Sequence, residues 1–300
     1  MLESPVGILG GTSFVGNHLI RLLTTNNITV TAYSRRNTDI LPSIDGVVWK
    51  QLQVSLKHER NNPRTENSAS LIHDTNIIQS WISVAPIWTL PDHFDLFISH
   101  GIRRIVALSS TSRFVKLESS NPFEKDVARR LSESEVKLQI WANTHNIDWI
   151  ILRPTLIYGN GQDKNISAIA NFIRKFGFFP LLGNAYGLRQ PVHAEDVASA
   201  CISALTHNNI KNQSYNISGG ETLTYRDMVK RIFYSLHLSP RLVIVPLWLF
   251  KFSITILHVL PRFRHLTTAM AERMNHDLFF DHKEASHDFG YSPRPFDPSA

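Results

Sequence analysis

A short apolar run, Val6 to Leu9, ends in Gly10-Gly11-Thr12-Ser13, and a helical period begins at once with Val15, Leu19, Leu22 and Leu23 on one face. This succession reads as a strand, a tight turn and a helix N-terminus. Such a turn gathers backbone N–H groups at the positive end of the helix dipole, which suits a pyrophosphate. In this reading Gly10 permits the turn, and Gly16 lets helix and strand approach closely. Ser13 lies between them; its hydroxyl can donate to a phosphate, although Ser takes positive φ less cheaply than Gly. The competing reading is a strand–turn–helix of small residues that binds nothing.

The segments that follow keep alternating. Ile28 to Tyr33 reads as a second strand closing in Ser34-Arg35-Arg36. A carboxylate at that strand end would bind the ribose 2′-OH of NAD. Here two arginines stand there and no acid occurs before Asp39. Guanidinium groups pair well with a 2′-phosphate, so the position points to NADP, with NAD as the alternative cofactor and two solvated arginines as the bland one. The residues placed to hold the cofactor are Gly10, Thr12, Ser13, Phe14, Val15 and Gly16 in the turn and Ser34, Arg35 and Arg36 at the second strand end.

Val47 to Leu52 predicts a third strand, residues 53–70 a polar loop, and Ile77 to Val84 a fourth strand followed by a loop at 86–91. A helix is expected from Asp92 to His100, a fifth strand at Arg104 to Leu108, a long helix from Asn121-Pro122 to His145 and a sixth strand from Asp148 to Tyr158. Strands alternating with helices predict an α/β fold, a Rossmann-type doubly wound parallel sheet. The expected division is a nucleotide-binding domain over 1–160, to which later segments return, and a smaller C-terminal substrate lobe over 161–300.

The chain has 300 residues and a formal charge of +6 without a Lys/Arg block or a basic–aromatic platform, which argues against nucleic acid as a partner. Its single cysteine, Cys201, precludes an intrachain disulfide and fits a reducing compartment. The N-terminus lacks the charged and apolar regions of a signal peptide. The expected location is therefore cytoplasmic. Leu242 to Leu260 is strongly apolar, but Lys251 lies near its middle, and Pro246 and His258 interrupt it. A mid-membrane Lys costs about 2.5–3.5 kcal/mol, so a helix packed on the lobe is expected rather than a span. A helix lying on a membrane, with basic flanks at Arg241, Arg262 and Arg264, is the other reading.

Several strings resemble extended and atypical short-chain dehydrogenases/reductases, the NAD-dependent epimerase/dehydratase-like family. They are Gly10-x-x-Ser13-x-x-Gly16, Leu152-Arg153-Pro154 running to Tyr158-Gly159, Arg189-Gln190-Pro191-Val192-His193 running to Asp196-Val197-Ala198, and the tail from Asp281 to Phe296. The chain resembles more loosely the nucleotide-binding accessory subunit of respiratory complex I, in which the cofactor is thought to be structural. The family resemblance implies that Thr111, with Ser110 next, hydrogen-bonds the reacting carbonyl, and that the nicotinamide lies near Thr111, Pro154 and Thr155. It also implies that Arg189 binds a phosphate- or nucleotide-linked small-molecule substrate. His193 and Asp196 are expected to hold structure.

The family's Tyr-x-x-x-Lys proton relay is missing. The helix before the Arg153-Pro154 strand contains no tyrosine, and counting back from Arg153 puts Leu131 and Glu135 near the two positions. Glu133, Glu135, Lys116 and Tyr158 are proton-donor candidates by residue type alone. Two functions follow: an NADP-binding oxidoreductase or nucleotide-sugar epimerase/dehydratase-like enzyme, or a non-catalytic NADP-binding scaffold or sensor.

Overall fold

The computed structural model describes residues 5–52, 76–159, 161, 163, 165–250 and 273–299. Seven strands form one parallel sheet: β1 (Val6–Leu9), β2 (Val30–Ser34), β3 (Val47–Gln51), β4 (Ser80–Ser83), β5 (Arg104–Leu108), β6 (Asp148–Pro154) and β11 (Gln213–Ile217). Their order is β11-β6-β5-β4-β1-β2-β3. The chain leaves β1 towards β2 and β3 on one side and returns to β4, β5 and β6 on the other. Doubly wound sheets bind ligands beside the strand C-termini at this reversal.

Apolar side chains explain the two layers. Ile8, Ile82, Val106 and Ile150 face one side, where helix α1 (Phe14–Thr25) brings Val15, Leu19 and Leu23 and helix α6 (Ala194–Thr206) brings Val197, Cys201 and Leu205. Leu9, Trp81, Ile105 and Ile151 face the other, against Phe97 of α2 (Phe94–Ser99) and Leu131, Leu138 and Trp141 of α4 (Pro122–Thr144). Strands buried on both faces read as continuous apolar runs, which is why the sequence shows them clearly. Between β5 and α4 lies the single-turn helix α3 (Ser112–Val115).

A third cluster builds the smaller lobe. It joins α5 (Ile166–Phe176), β8 (Phe179–Leu182) and α7 (Tyr225–Ser235). Thr224 caps α7, its Oγ1 accepting from Asp227 N at 3.0 Å. Short pairs connect lobe and sheet: β7 (Ile157–Tyr158) with β10 (Val192–His193), and β9 (Leu188–Arg189) with β12 (Leu223–Thr224). Helix α8 (Lys283–Phe289) returns to the main sheet, where Tyr215 donates to Asp288 at 2.7 Å.

Four expectations change. The fourth strand shortens to Ser80–Ser83 because Ile78 N bonds His100 O and Trp81 Nε1 bonds Ile78 O, outside the ladder. The loop at 86–91 is a 3₁₀ helix over Ile87–His93, which buries Ile87 and Leu90 at its three-residue period. The sixth strand stops at Pro154, where Thr155 N bonds Ile217 O and the chain crosses to β7. The apolar segment at 242–260 opens not as a helix but as strand β13 (Leu242–Val245), whose Val/Ile run pairs parallel with β8. Its remainder, 251–260, and the polar loop at 53–70 lie outside the described residues. No helix among the described residues is long and apolar enough to cross a membrane.

Gly7 lies under the Trp81 ring, where a Cβ would stand 2.5 Å from Cδ2. Overpacking of this kind costs about 1–3 kcal/mol. Gly7→Ala should lower the urea midpoint accordingly, and adding Trp81→Phe should recover part of the loss; an unchanged midpoint in Gly7→Ala would refute this packing.

Candidate functional site

The β1–α1 turn has the geometry of an anion cradle. Gly10 takes φ +88°, and a Cβ there would stand 2.7 Å from Ala85 N. A Cβ on Gly16 would meet Gly10 O at 2.4 Å and Gly11 O at 2.6 Å. Ser13 caps α1: its Oγ accepts from Gly16 N at 3.1 Å, and its carbonyl takes Asn17 N at 3.0 Å. Phe14 and Val15 therefore hold the first-turn N–H groups that the cap leaves open. The Ser13 hydroxyl acts there as an acceptor and keeps its own proton to give. Thr12 and Phe14 are half-buried and Val15 is buried at the same turn.

At the end of β2, Ser34 Oγ accepts from Arg36 N at 3.1 Å, while the Arg35 and Arg36 side chains stand in solvent. His93 lies within the field of Arg35. Its pKa is lowered first by burial; Asp92 opposes this, and Arg35 adds to it.

At the ends of β5 and β6 the hydroxyl cluster is fully positioned. Thr111 is buried, and its N and Oγ1 both donate to Pro154 O at 3.2 Å. Ser110 is half-buried, and its Oγ accepts from Ser112 N at 3.1 Å, which leaves its hydroxyl proton uncommitted. Ser109 donates to Glu135. The structure thus brings Ser110, Thr111 and Pro154 together, but it commits the Thr111 proton to a carbonyl.

Glu135 is 0% exposed on the face of α4 that meets these strand ends. Arg153 grips it with Nη2 at 2.7 Å and Nε at 3.2 Å, and Arg113 binds it through Nη1. Both guanidiniums also lie over the Phe114 ring, at 5.2 and 5.4 Å. A carboxylate held in this way has its oxygens occupied by hydrogen bonds and is poorly placed to shuttle protons. Of the other candidates, Glu133 pairs with Arg129 at 2.9 Å on the exposed side of α4. Tyr158 is buried, and its hydroxyl accepts from Asp297 N at 3.1 Å; burial raises its pKa. Lys116 closes α3 without a carboxylate partner among the described residues. Burial lowers its pKa, and Arg273 lowers it further.

Arg189 departs from its expected role. It is 5% exposed, with Nη1 donating to Leu188 O and to His276 O at 2.9 Å, and Nη2 to Arg273 O. Burial lowers its pKa to about 10. The guanidinium serves main-chain carbonyls at the end of the helical turn over 273–275, where C=O groups lack intrahelical partners. His193 and Asp196 behave as expected: His193 Nδ1 caps α6, and Asp196 accepts from Arg294 Nε at 2.8 Å. Sequence reasoning passed over Arg113 and Arg273. Arg113 could have been noticed as a charge one turn ahead of Lys116 and directly after the hydroxyl cluster, whereas Arg273 belongs to no motif. No His/Cys/Asp/Glu group fit for a metal occurs among the described residues.

Comparison with known proteins agrees with this architecture. Residues 94–218 match the NAD dependent epimerase/dehydratase family. UDP-glucose 4-epimerase of Vibrio cholerae is 21% identical over 273 residues, covering 83% of this chain and 81% of that protein. NADH dehydrogenase (ubiquinone) 1 alpha subcomplex subunit 9 of Arabidopsis thaliana is 29% identical over 97 residues, 32% of this chain and 24% of that protein. The solved structure of MoeE5 in complex with UDP-glucuronic acid and NAD superposes with a TM-score of 0.67 at 18% identity, covering 98% of this chain and 95% of that one. The chain is thus similar to the NAD dependent epimerase/dehydratase family through residues 94–218, and its sheet is of the Rossmann type.

Proposed function

We propose that the chain binds NADP across the C-terminal ends of β1, β2, β4 and β5 and acts on a nucleotide- or phosphate-linked small molecule as an oxidoreductase or epimerase-like enzyme. The observation that carries this reading is the β1–α1 turn. Its two glycines occupy space where any side chain would collide with backbone, and its helix cap leaves Phe14 and Val15 N–H to a ligand. The fit of these residues to a pyrophosphate supports a dinucleotide there. Such a cofactor supplies hydride transfer when bound. Arg35 and Arg36 would pair with the 2′-phosphate, Ser34 would line the same strand end, and Pro154 would border the nicotinamide.

Ser110 and Thr111 would orient the reacting oxygen. The geometry favours Ser110 as the donor, because Thr111 gives its proton to Pro154 O. The Tyr–Lys relay has no counterpart, and Glu135 is held by two arginines. That lock also supports a second reading, a non-catalytic NADP-binding scaffold or sensor. General acid–base help contributes about 10²–10⁴-fold, so turnover is expected to be slow rather than absent. Arg189, bound to lobe carbonyls, has one Nη2 proton left for a substrate phosphate.

Titration should show NADPH binding roughly tenfold or more tightly than NADH, since a hydrogen bond to a charged group contributes about 1.5–3 kcal/mol. Arg35→Ala and Arg36→Ala should erase the difference; equal affinities in the parent chain would remove the 2′-phosphate assignment. Gly10→Val should abolish dinucleotide binding with the far-ultraviolet circular dichroism retained, and binding that survives it would reduce the turn to a structural one. In a substrate screen followed at the nicotinamide absorbance, Ser110→Ala and Thr111→Val should lower turnover with NADPH affinity unchanged. Tight NADPH binding with no substrate class oxidising it would select the scaffold reading.

A further inference from the structure

The ends of β5 and β6 hold more positive charge than the described carboxylates compensate. Arg113, Lys116, Arg153 and Arg273 gather around α3 and the start of α4, and the carboxylates bound to them are Glu135 and Glu124. Glu135 takes Arg113 and Arg153, and Glu124 takes Arg273 and the Ser119 hydroxyl. Lys116 has no carboxylate partner among the described residues and lies within the field of Arg273. Glu118, on the exposed turn beyond, pairs with none of them. Arg113 and Lys116 stand three residues apart on one side of α3, a spacing at which like charges repel.

The way Arg113 meets Glu135 has a second consequence. It uses Nη1, so the Nε and Nη2 edge has no partner among the described residues. That edge is the side-on fork with which Arg153 grips the same carboxylate. A planar fork one helical turn from an ammonium that no described carboxylate binds matches the oxygens of a carboxylate or a phosphate. Glu135 fixes the guanidinium in place before any ligand arrives.

We propose that Arg113 and Lys116 form a binding site for an oxoanion, a carboxylate or a phosphate, carried by the ligand close to its reacting end. This inference rests on the reading that the ligand lies at the strand C-termini beside Ser110 and Thr111. Arg113 takes two oxygens side-on, Lys116 takes one as a point charge, and Glu135 acts as the positioning residue for Arg113. The bound anion offsets the repulsion between Lys116 and Arg273.

The test titrates the full chain, with and without saturating NADP, with D-glucuronate, glucose 6-phosphate and glucose by ligand-observed NMR at low ionic strength. At least one of the two anions should bind tenfold or more tightly than glucose, and the one that does identifies carboxylate or phosphate. Lys116→Gln, which breaks no ion pair, and Arg113→Gln should each weaken that anion about tenfold. Neither anion exceeding glucose, or binding that survives both substitutions, would overturn the site. NADP affinity is read on the same samples: anion binding without NADP binding would discard the dinucleotide reading and keep this site, whereas the reverse would discard this site alone.

Discussion

The fold depends on one close approach. The Cα of Gly16 lies against the carbonyls of Gly10 and Gly11, with no room for a side-chain carbon. This contact seats the first turn of α1 on the end of β1. From there α1 covers Ile8 and Ile82 with Val15, Leu19 and Leu23, and α6 packs beside it on the same sheet face. A larger residue at 16 would lift α1 off the strand and reposition the N–H groups of its first turn. Packing and ligand geometry at this end of the sheet are therefore one constraint.

Glu135 imposes the second constraint, by charge. A lone buried carboxylate is costly, and removing one partner of a buried pair costs about 3–5 kcal/mol. Here two guanidiniums and a serine hydroxyl satisfy it, and they reach it from α3, from β6 and from the end of β5. The pairing ties α4 to both strand ends. Leu131, one turn earlier on α4, is buried, and the cations that compensate Glu135 come from α3 and β6.

Much of this was legible in the residues. The strand–turn–helix at the N-terminus, the helix opening at Asn121-Pro122, the strand at 104–108 and the start of the strand at Asp148 follow from local chemistry. What escaped is decided at long range. Nothing in Leu242-Val243-Ile244-Val245 distinguishes a buried helix from an edge strand until β8 offers a partner. The role of Arg189 depends on three carbonyls that include residues 273 and 276, far along the chain. The 3₁₀ turn at 87–93 was missed because its Pro86 and Pro91 read as loop punctuation, while Ile87 and Leu90 sit at a period of three. In the hydroxyl cluster the residues were identified, but their proton assignments depend on where the Pro154 carbonyl points.

The position of β11 has a consequence for how this molecule assembles. The strand comes from residues 213–217, yet it pairs with β6 at the outer edge of the main sheet, and Thr155 bonds Ile217 where the two strands end. Synthesis from the N-terminus thus delivers six strands before the seventh exists, and until then β6 presents a bare row of N–H and C=O groups. An apolar strand in that state is a template for a second chain. The boundary expected at residue 160 is not a place to cut: a fragment ending there would keep the Gly-rich turn and lose the strand that closes its sheet, along with α6, which covers one face. Residues 194–217 are in this sense part of the main sheet and its core, although they follow that boundary in the chain.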